Sequence, residues 1–376
     1  MSPSDFITRY SGPLQEFTRM SQTAGSRSDY VQGGGGNTSC KLDDSLMAIK
    51  ASGFQLSQIE PDNAYAVIDF PALRAFYASG EAPFEDVEKA GSAAAREATR
   101  TIDGLPVLRP SVEAGFHALL DTFVLHTHPV YGNLLTCAAE GPQLAAEVMA
   151  PTGENFAFVP YINPGAQLTF AIQSARQAAT KDGVPPKVIF LQNHGVIVTG
   201  PTAQFCLDLH DQVNAAIASY FQTSVTDWPA LEVVPASICV GDDTHAAYRS
   251  NSPWLTAQLK EQAWTLEDFT VKALYPDQLV FLAGQVAVAA SGSLENFAVS
   301  GSAAMAKATI FRKSGEILYT CSANEAQTIE ETLAAVLFIH QTIQARGLTV
   351  SPMSEAGKSF IANWESEAYR KSIAAK

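Results

Sequence analysis

The chain has 376 residues, and its 38 acidic and 24 basic side chains give a formal net charge of −14. No basic run interrupts this acidity, which argues against nucleic acid as a partner because phosphate neutralisation needs clustered cations. No stretch approaches the roughly 18 consecutive apolar residues that cross a bilayer, so we expect no membrane partner.

The five cysteines also indicate the cellular compartment of the protein. They are scattered, odd in number and lack a CxxC spacing, which favours a reducing environment over a disulfide scaffold. Residues 1–20 carry charged side chains among the apolar ones, unlike an export signal. These features predict a cytoplasmic protein. The length favours two domains, although one elaborated domain also fits it.

Residues 1–222 read as helices and strands punctuated by glycine. An amphipathic helix is expected to end near Gly25 and to lead into a glycine-rich loop, followed by two strands that flank Asp43 and Asp44 as a hairpin. The next predicted elements are helices over 71–79 and 85–99, a helix that begins near Ser111 as its N-cap, and a strand over 122–128.

Two further strands and a helix complete this part. The run KVIFLQ at 187–192 is apolar, β-branched and aromatic, which predicts a buried strand, and 196–199 continues the sheet. A helix is predicted from residue 202 to about residue 221. Its apolar residues recur at helical spacing and predict one buried face: Phe205, Leu209, Val213, Ile217 and Tyr220.

The rest of the chain is predicted as a separate unit. Residues 223–235 contain two prolines among mixed polar residues and are interpreted as a linker. Residues 236–376 then form a smaller α/β unit in which no chemistry is evident. Its predicted elements are an apolar strand over 278–282, a hairpin turn at 313–316, and a helix over 322–346 that starts with a capping box.

Three histidines are candidate metal ligands. His126 and His128 are two apart on a predicted strand, so both rings project to one side. His194 follows another strand, where a turn through Gly195 can present its ring to a neighbouring strand end. Three neutral imidazoles with an open position are typical of catalytic zinc, and Mn²⁺, Co²⁺ or Fe²⁺ also accept them. An HxH pair alone also fits two polar side chains on a strand.

The other histidines and one carboxylate complete the set of candidates. Glu113 lies near the first turn of the helix before the HxH strand. It can serve as a proton-transfer group beside a metal, or it can be an acidic first-turn residue that the helix dipole stabilises. His117, four residues later, is expected to support the site by hydrogen bonding. Structural or surface roles are predicted for three more histidines: His210, His245 and His340.

The segment GGGGN at 33–37 has two interpretations. Its backbone amides can approach a phosphate or carboxylate closely, with Ser52 and Gly53 closing the other side. Four glycines are also typical of a flexible turn. The spacing is neither GxGxxG nor GxxxxGK[ST], so no nucleotide-binding motif is indicated.

Taken together, these motifs resemble the class II aldolase/adducin family over roughly residues 20–222. The motifs occur in the family's order: GGNTS (35–39), KASG (50–53), RPSVE (109–113) with FH (116–117), HTHP (126–129) and NHG (193–195). The stretch VPYINPG (159–165) and the extra carboxy-terminal region look most similar to the aldolase part of bifunctional rhamnulose-1-phosphate aldolase/alcohol dehydrogenase proteins. The resemblance implies a three-layer α/β/α domain with a central, mainly antiparallel sheet, plus the smaller α/β domain.

The resemblance also implies a role for each site residue. His126, His128 and His194 would bind zinc, and Glu113 would be the catalytic acid/base. The residues implied for the phosphate pocket are Gly36, Asn37, Ser52, Gly53 and Ser111. Fuculose-type enzymes carry a second serine where this chain has Val112, which removes one phosphate donor. A related sugar-phosphate epimerase has Asp at the position of Glu113, so Glu favours aldolase chemistry.

The implied reaction is retro-aldol cleavage of a small ketose phosphate, of the rhamnulose or fuculose 1-phosphate type, through a metal-stabilised enediolate. Decarboxylase, dehydratase or epimerase chemistry on the same scaffold is an alternative, and so is a non-catalytic, adducin-like assembly module. A sugar phosphate or related polyol is the expected partner. Family members are commonly tetramers, so a homo-oligomer is expected, with a tetramer favoured.

Overall fold

A computed structural model describes residues 3–80, 85–240, 243–290, 298–299 and 306–363. The larger of its two sheets contains β1 (Asn37–Lys41), β2 (Leu46–Lys50), β3 (Tyr65–Asp69), β4 (Thr99–Arg100), β5 (Phe123–Thr127), β6 (Phe156–Val159), β7 (Val188–Leu191) and β8 (Gly195–Gly200). Their spatial order is β4-β3-β2-β1-β5-β8-β7-β6. Every neighbouring pair is antiparallel except β6 and β7.

Helices cover both faces of this sheet. In chain order they are α1 (Pro3–Arg9), α2 (Ser11–Gly25), α3 (Phe70–Ala78), α4 (Val87–Ala98), α5 (Ala114–Leu119), α6 (Val130–Thr136), α7 (Gly141–Met149), α8 (Ala166–Ala178) and α9 (Ala203–Tyr220). Helices α2, α6 and α9 contact one face, and α4, α5 and α8 contact strands on the other. The arrangement confirms the predicted three-layer α/β/α architecture with a mainly antiparallel sheet.

The strand sequences explain why both faces are covered. Side chains alternate across a pleated strand, so a strand that is apolar throughout needs packing partners on both sides. In β5, Leu125 packs in the core beneath α2 and α9, and Val124 packs with Phe116 of α5 in the opposite core. Successive residues of β7, Val188 and Ile189, divide between the same two cores.

The second, smaller sheet is formed by the carboxy-terminal part of the chain. Its strands are β9 (Val233–Val240), β10 (Asp243–Ser250), β11 (Val286–Ala289), β12 (Ala298–Val299), β13 (Ala308–Phe311) and β14 (Glu316–Tyr319), in the spatial order β11-β13-β14-β10-β9-β12. The accompanying helices are α10 (Pro253–Glu261), α11 (Leu266–Thr270), α12 (Pro276–Leu282), α13 (Ala323–Ala345) and α14 (Glu355–Asn363). Among the described residues, no helix combines the length and apolar character needed to cross a membrane.

Helix α13 connects the two sheets. It begins with the predicted capping box between Ser322 and Glu325, and it contacts α6 of the first part as well as α12 and β9. The ring of Phe338 in α13 lies against Tyr131, Trp228 and Trp254. The main hydrophobic core therefore runs through both parts. The division into residues 1–222, 223–235 and 236–376 stays a prediction.

Three sequence predictions are wrong in detail. The apolar run 278–282 belongs to helix α12, not to a strand; Pro276 supplies a helix start, and burial on every side removes the periodicity that would have indicated a helix. Helix α5 begins at Ala114, and Ser111 is not its N-cap, because the preceding segment pairs with Ala51 and Ser52. In α9, Leu209, Val213 and Ile217 are buried as predicted and Tyr220 is half-buried, but Phe205 is exposed, and Cys206 and His210 belong to the buried face as well.

We predict that Phe338→Ala lowers the free energy of unfolding by about 3–5 kcal/mol, because it leaves a cavity where α13 meets both parts of the chain. Tryptophan fluorescence and far-ultraviolet circular dichroism during chemical denaturation would measure the change. Val271→Ala is the control, since Val271 is 50% exposed and truncation of its side chain should cost less than about 0.5 kcal/mol. An unchanged unfolding midpoint for Phe338→Ala would contradict the shared core.

Candidate metal centre

The three candidate histidines converge at the middle of the large sheet. His126 is on β5 and His128 follows its end, while β5 pairs with β8 so that His126 lies opposite Ile197. His194 occupies the turn between β7 and β8, in which Asn193 has φ +51°. One nitrogen from each ring lies within 4.8 Å of the others, and all three residues are buried. The structure therefore brings together candidate ligands separated by nearly seventy positions along the chain.

Distances in this cluster fit a single divalent ion. The Nε2 atoms of His126 and His128 are 3.2 Å apart. Two imidazole nitrogens on one tetrahedral zinc, each bonded at about 2.0–2.1 Å, would lie about 3.3 Å apart. The ring centroid of His194 lies 4.9 Å from that of His126 and 4.8 Å from that of His128. The nitrogen donors suit zinc and other first-row metals, and His128 and His194 line the cavity described below.

Burial keeps the His126 imidazole neutral, which a metal ligand requires. Removal from water holds the pKa of His126 well below its usual range, and the neighbouring His128 lowers it further. The Nδ1 atom of His126 lies 3.1 Å from the carbonyl oxygen of Val196. Because a carbonyl only accepts, Nδ1 carries the hydrogen, and the lone pair is left on Nε2, the atom that faces His128.

Glu113 brings both carboxylate oxygens to this cluster. Its Oε2 lies 3.6 Å from Nε2 of His126, and its Oε1 lies 3.6 Å from Nε2 of His194. The residue immediately precedes α5 and is 5% exposed. An ion shared by the imidazoles would therefore lie beside this carboxylate, at a distance suited to metal ligation or to proton transfer on a bound substrate.

A chain of polar side chains holds Glu113 in place. Asn37 on β1 donates from Nδ2 to Oε2 of Glu113 at 2.6 Å, so its Oδ1 is left to accept from Nε2 of His117. The other nitrogen of His117, Nδ1, accepts from the hydroxyl of Ser39 at 2.7 Å. Complete burial holds the pKa of His117 well below its usual range, consistent with this neutral form. His117 is thus connected to Glu113 by two hydrogen bonds, both made by the Asn37 side chain.

A small cavity of about 50 Å³ opens onto the cluster. All five residues that the resemblance implies for a phosphate pocket line it: Gly36, Asn37, Ser52, Gly53 and Ser111. Glu113, His128 and His194 line it as well. Gly36 has φ +66°, and a Cβ there would lie 2.6 Å from the carbonyl oxygen of His126, so the glycine lets β1 approach β5 closely.

Lys50 and Pro276 also line the cavity, and neither is among the predicted site residues. Lys50 brings an ammonium group to the cavity, where its Nζ donates to the carbonyl oxygens of Phe54 at 2.5 Å and Gly34 at 3.3 Å. Lys50 is the first residue of the KASG motif, and this motif could have indicated that Lys50 belongs to the site. Pro276, from α12 of the carboxy-terminal part, closes one side. The residue after it, Asp277, contacts His128, and no sequence motif marks it.

The remaining histidines lie apart from the cluster. His210 is buried in α9, with Nε2 2.6 Å from the hydroxyl of Thr127, and burial lowers its pKa to about 3. His245 is exposed on β10, and His340 lies in α13 against Trp264.

A comparison with protein families gives a match over the part of the chain that carries the three candidate histidines. Residues 15–220 match the model described as the class II aldolase and adducin N-terminal domain. The chain belongs to this family. The predicted similarity to bifunctional rhamnulose-1-phosphate aldolase/alcohol dehydrogenase proteins stays a prediction. A comparison with curated proteins gives no match.

Solved structures similar to this chain include several family members. The N-terminal class II aldolase domain of a conserved protein from Thermoplasma acidophilum is 24% identical, with a TM-score of 0.46, over 55% of this chain and 92% of that one. An L-fuculose 1-phosphate aldolase is 17% identical, with a TM-score of 0.38, over 56% and 85%. YgbL from Klebsiella pneumoniae, a putative aldolase/epimerase/decarboxylase, is 19% identical, with a TM-score of 0.38, over 59% and 91%.

We predict that His194→Ala weakens binding of zinc by about 100-fold or more, because one of three nitrogen donors is lost, whereas His245→Ala leaves it unchanged. Competition with a chromophoric chelator, after metal removal and dialysis, would measure the affinity, and elemental analysis would give one ion per wild-type chain. Equal affinity of His194→Ala and wild type would place the ion elsewhere.

Proposed function

We propose that this chain is a metal-dependent class II aldolase that cleaves a small ketose phosphate, with zinc as the favoured ion and a substrate of the rhamnulose or fuculose 1-phosphate type. One observation carries the proposal: a buried carboxylate, Glu113, faces the Nε2 atoms of His126 and His194 and lines a small cavity. A domain used only for assembly has no physical need for such a set of groups.

Each residue has a chemical task in this proposal. His126, His128 and His194 would hold the ion, which when bound supplies Lewis acidity toward a substrate carbonyl and its neighbouring hydroxyl. Glu113 would take or return the proton at the substrate carbon next to that carbonyl. The hydrogen bond from Asn37 orients the carboxylate, and the neutral His117 fixes the orientation of the Asn37 amide.

The anionic end of the substrate would be bound by polar groups of the same cavity. Ser52 and Ser111 offer hydroxyl groups, and Lys50 brings a positive charge to a cavity wall in a chain that is acidic as a whole. The backbone at Gly36 and Gly53 can approach an anion closely because neither carries a side chain. Lys50 thereby offsets the donor that is lost at Val112.

The cavity volume limits which part of the substrate is enclosed. About 50 Å³ is well below the roughly 300 Å³ of common ligand pockets, so this cavity is the reacting end of a larger site. A neighbouring copy in a homo-oligomer, with a tetramer favoured, would supply the remaining wall and an aldehyde-side proton donor. A cytoplasmic setting with metabolite substrates fits this proposal.

We predict that wild-type protein loaded with zinc releases an aldehyde from a ketose 1-phosphate and that Glu113→Gln lowers kcat by about 10²–10⁴-fold while retaining the ion, because a glutamine cannot transfer the proton. A screen of ketose 1-phosphates and acidic sugar phosphates, followed by product analysis, would measure this. Glu97→Gln, on the exposed side of α4, is the matched control and should leave kcat unchanged.

Product identity separates the aldolase from the alternatives. Two products that divide the carbon skeleton between them support aldol cleavage. Release of carbon dioxide, loss of water or inversion of a stereocentre would instead identify the protein as a decarboxylase, dehydratase or epimerase. If Glu113→Gln turns over as wild type does, Glu113 is not the proton-transfer group. No turnover with any substrate class by metal-loaded wild type would favour the non-catalytic assembly module.

A further inference from the structure

We propose that Asp277 is a positioning residue for the metal ligand His128, so that the carboxy-terminal part of the chain completes the metal centre. This inference rests on the proposed function, because it takes His128 to be a ligand. Oδ2 of Asp277 lies 2.5 Å from Nδ1 of His128, and both side chains are buried. The two residues are 149 positions apart in the sequence.

The two nitrogens of His128 face different partners. Nε2 lies 3.2 Å from Nε2 of His126, so this atom points into the cluster, and Nδ1 points away from it toward Asp277. A carboxylate accepts from Nδ1–H, which leaves the lone pair on Nε2, where a metal ligand needs it. Asp277 therefore selects the tautomer and ring orientation suited to binding the ion.

The Nδ1 atom of His126 also faces an acceptor, but this acceptor is uncharged. This Nδ1 faces the backbone carbonyl of Val196 at 3.1 Å, a weaker acceptor than a carboxylate. A charged acceptor makes an imidazole a better electron-pair donor, and loss of such a partner commonly weakens metal binding by about 10–100-fold. Of these two ligands, His128 consequently depends more on its partner.

The glycine-rich loop makes room for this contact. A Cβ on Gly35 would lie 2.3 Å from Oδ2 of Asp277 and 3.1 Å from Nδ1 of His128. Such an approach is shorter than any normal non-bonded contact, so a side chain at position 35 would displace the carboxylate. The loop thus meets the carboxy-terminal part at the point where the ligand is held.

The Asp277 carboxylate is completely buried, so it needs a partner that compensates for its lost hydration. Its carboxylate is 0% exposed, and transfer of a carboxylate from water into a protein interior is unfavourable unless donors or cations compensate for the lost hydration. A ligand imidazole that becomes more positive when it binds an ion is such a partner. The neighbouring Pro276 lines the cavity, so the start of α12 forms both a wall and a support of the centre.

The structure holds the start of α12 firmly beside the ligands. The Gln278 side chain accepts from the backbone amide of Leu274 at 2.8 Å and donates to the carbonyl of Phe269 at 3.1 Å. Asn193, next to the ligand His194, donates from Nδ2 to the carbonyl oxygens of Leu274 at 2.9 Å and Ser351 at 2.6 Å. The carboxy-terminal part thus contacts the segments that carry two of the three ligands.

Metal affinity of purified full-length variants tests the proposal. We expect Asp277→Asn and Asp277→Ala to lower zinc affinity by about 10–100-fold with one ion still bound per chain, and to shift the visible absorption of the cobalt(II)-loaded protein, because the donor strength of His128 changes. Glu330→Gln is the matched control: Glu330 is also a buried carboxylate of the carboxy-terminal part, but it bonds Ser250 and Tyr319. It should retain wild-type affinity and the wild-type cobalt spectrum.

A double-mutant cycle adds an independent test of the geometry. Gly35→Ala alone should also weaken zinc binding, because its methyl group displaces the carboxylate, whereas adding Gly35→Ala to Asp277→Ala should cause little further loss. Circular dichroism identifies any variant that fails to fold, and the near-isosteric Asp277→Asn remains as the decisive variant in that case.

The outcomes separate this inference from the function on which it rests. If wild type binds zinc through the histidines and Asp277→Asn binds it equally well with an unchanged cobalt spectrum, the positioning role is wrong and the proposed function stands. If His194→Ala and wild type bind zinc alike, both are overturned. Full additivity of Gly35→Ala and Asp277→Ala would overturn the proposed contact between the loop and the carboxylate.

Discussion

The site depends on the burial of three imidazoles with their Nε2 atoms turned toward one another. For His126, burial and the neighbouring His128 both hold the pKa well below its usual range. The arrangement is favourable when the rings are neutral, when each far-side hydrogen has an acceptor, and when the facing lone pairs bind a cation. His126 meets these conditions through a backbone carbonyl on the next strand, and His128 through the carboxylate of Asp277.

The rest of the fold supports this constraint. The antiparallel pairing of β1 with β5 and of β5 with β8 brings Asn37, His126 and the turn at His194 to one end of the sheet centre. Helices on both faces exclude water from these strands. On this rigid base the polar chain through Asn37 and His117 fixes a carboxylate beside the ligands, while the glycine-rich loop allows close backbone approach.

Much of this arrangement could be predicted from local patterns in the sequence. The spacing of His126 and His128 gives a shared strand face, and the glycine after His194 marks a strand end. The order of the motifs indicated the family and, through it, Glu113 and the cavity-lining residues that the structure brings together. The hairpin at β1 and β2 and the long capped helix α13 are confirmed because their start and stop signals are local.

What could not be predicted depends on contacts far along the chain. Asp277 carries no motif, and the run that follows it has the pattern of a strand because a fully buried helix of seven residues has no exposed face to reveal its period. The continuity of the core across both sheets is likewise a property of packing around Phe338 and Trp228, which no local pattern encodes.

Anomalous X-ray diffraction at the zinc absorption edge, from crystals of the metal-loaded full-length protein, tests the central claim most directly. The account predicts one strong peak within about 2.0–2.1 Å of Nε2 of His126, His128 and His194. A peak bound by other side chains, or the absence of any peak among these rings at saturating zinc, would contradict it.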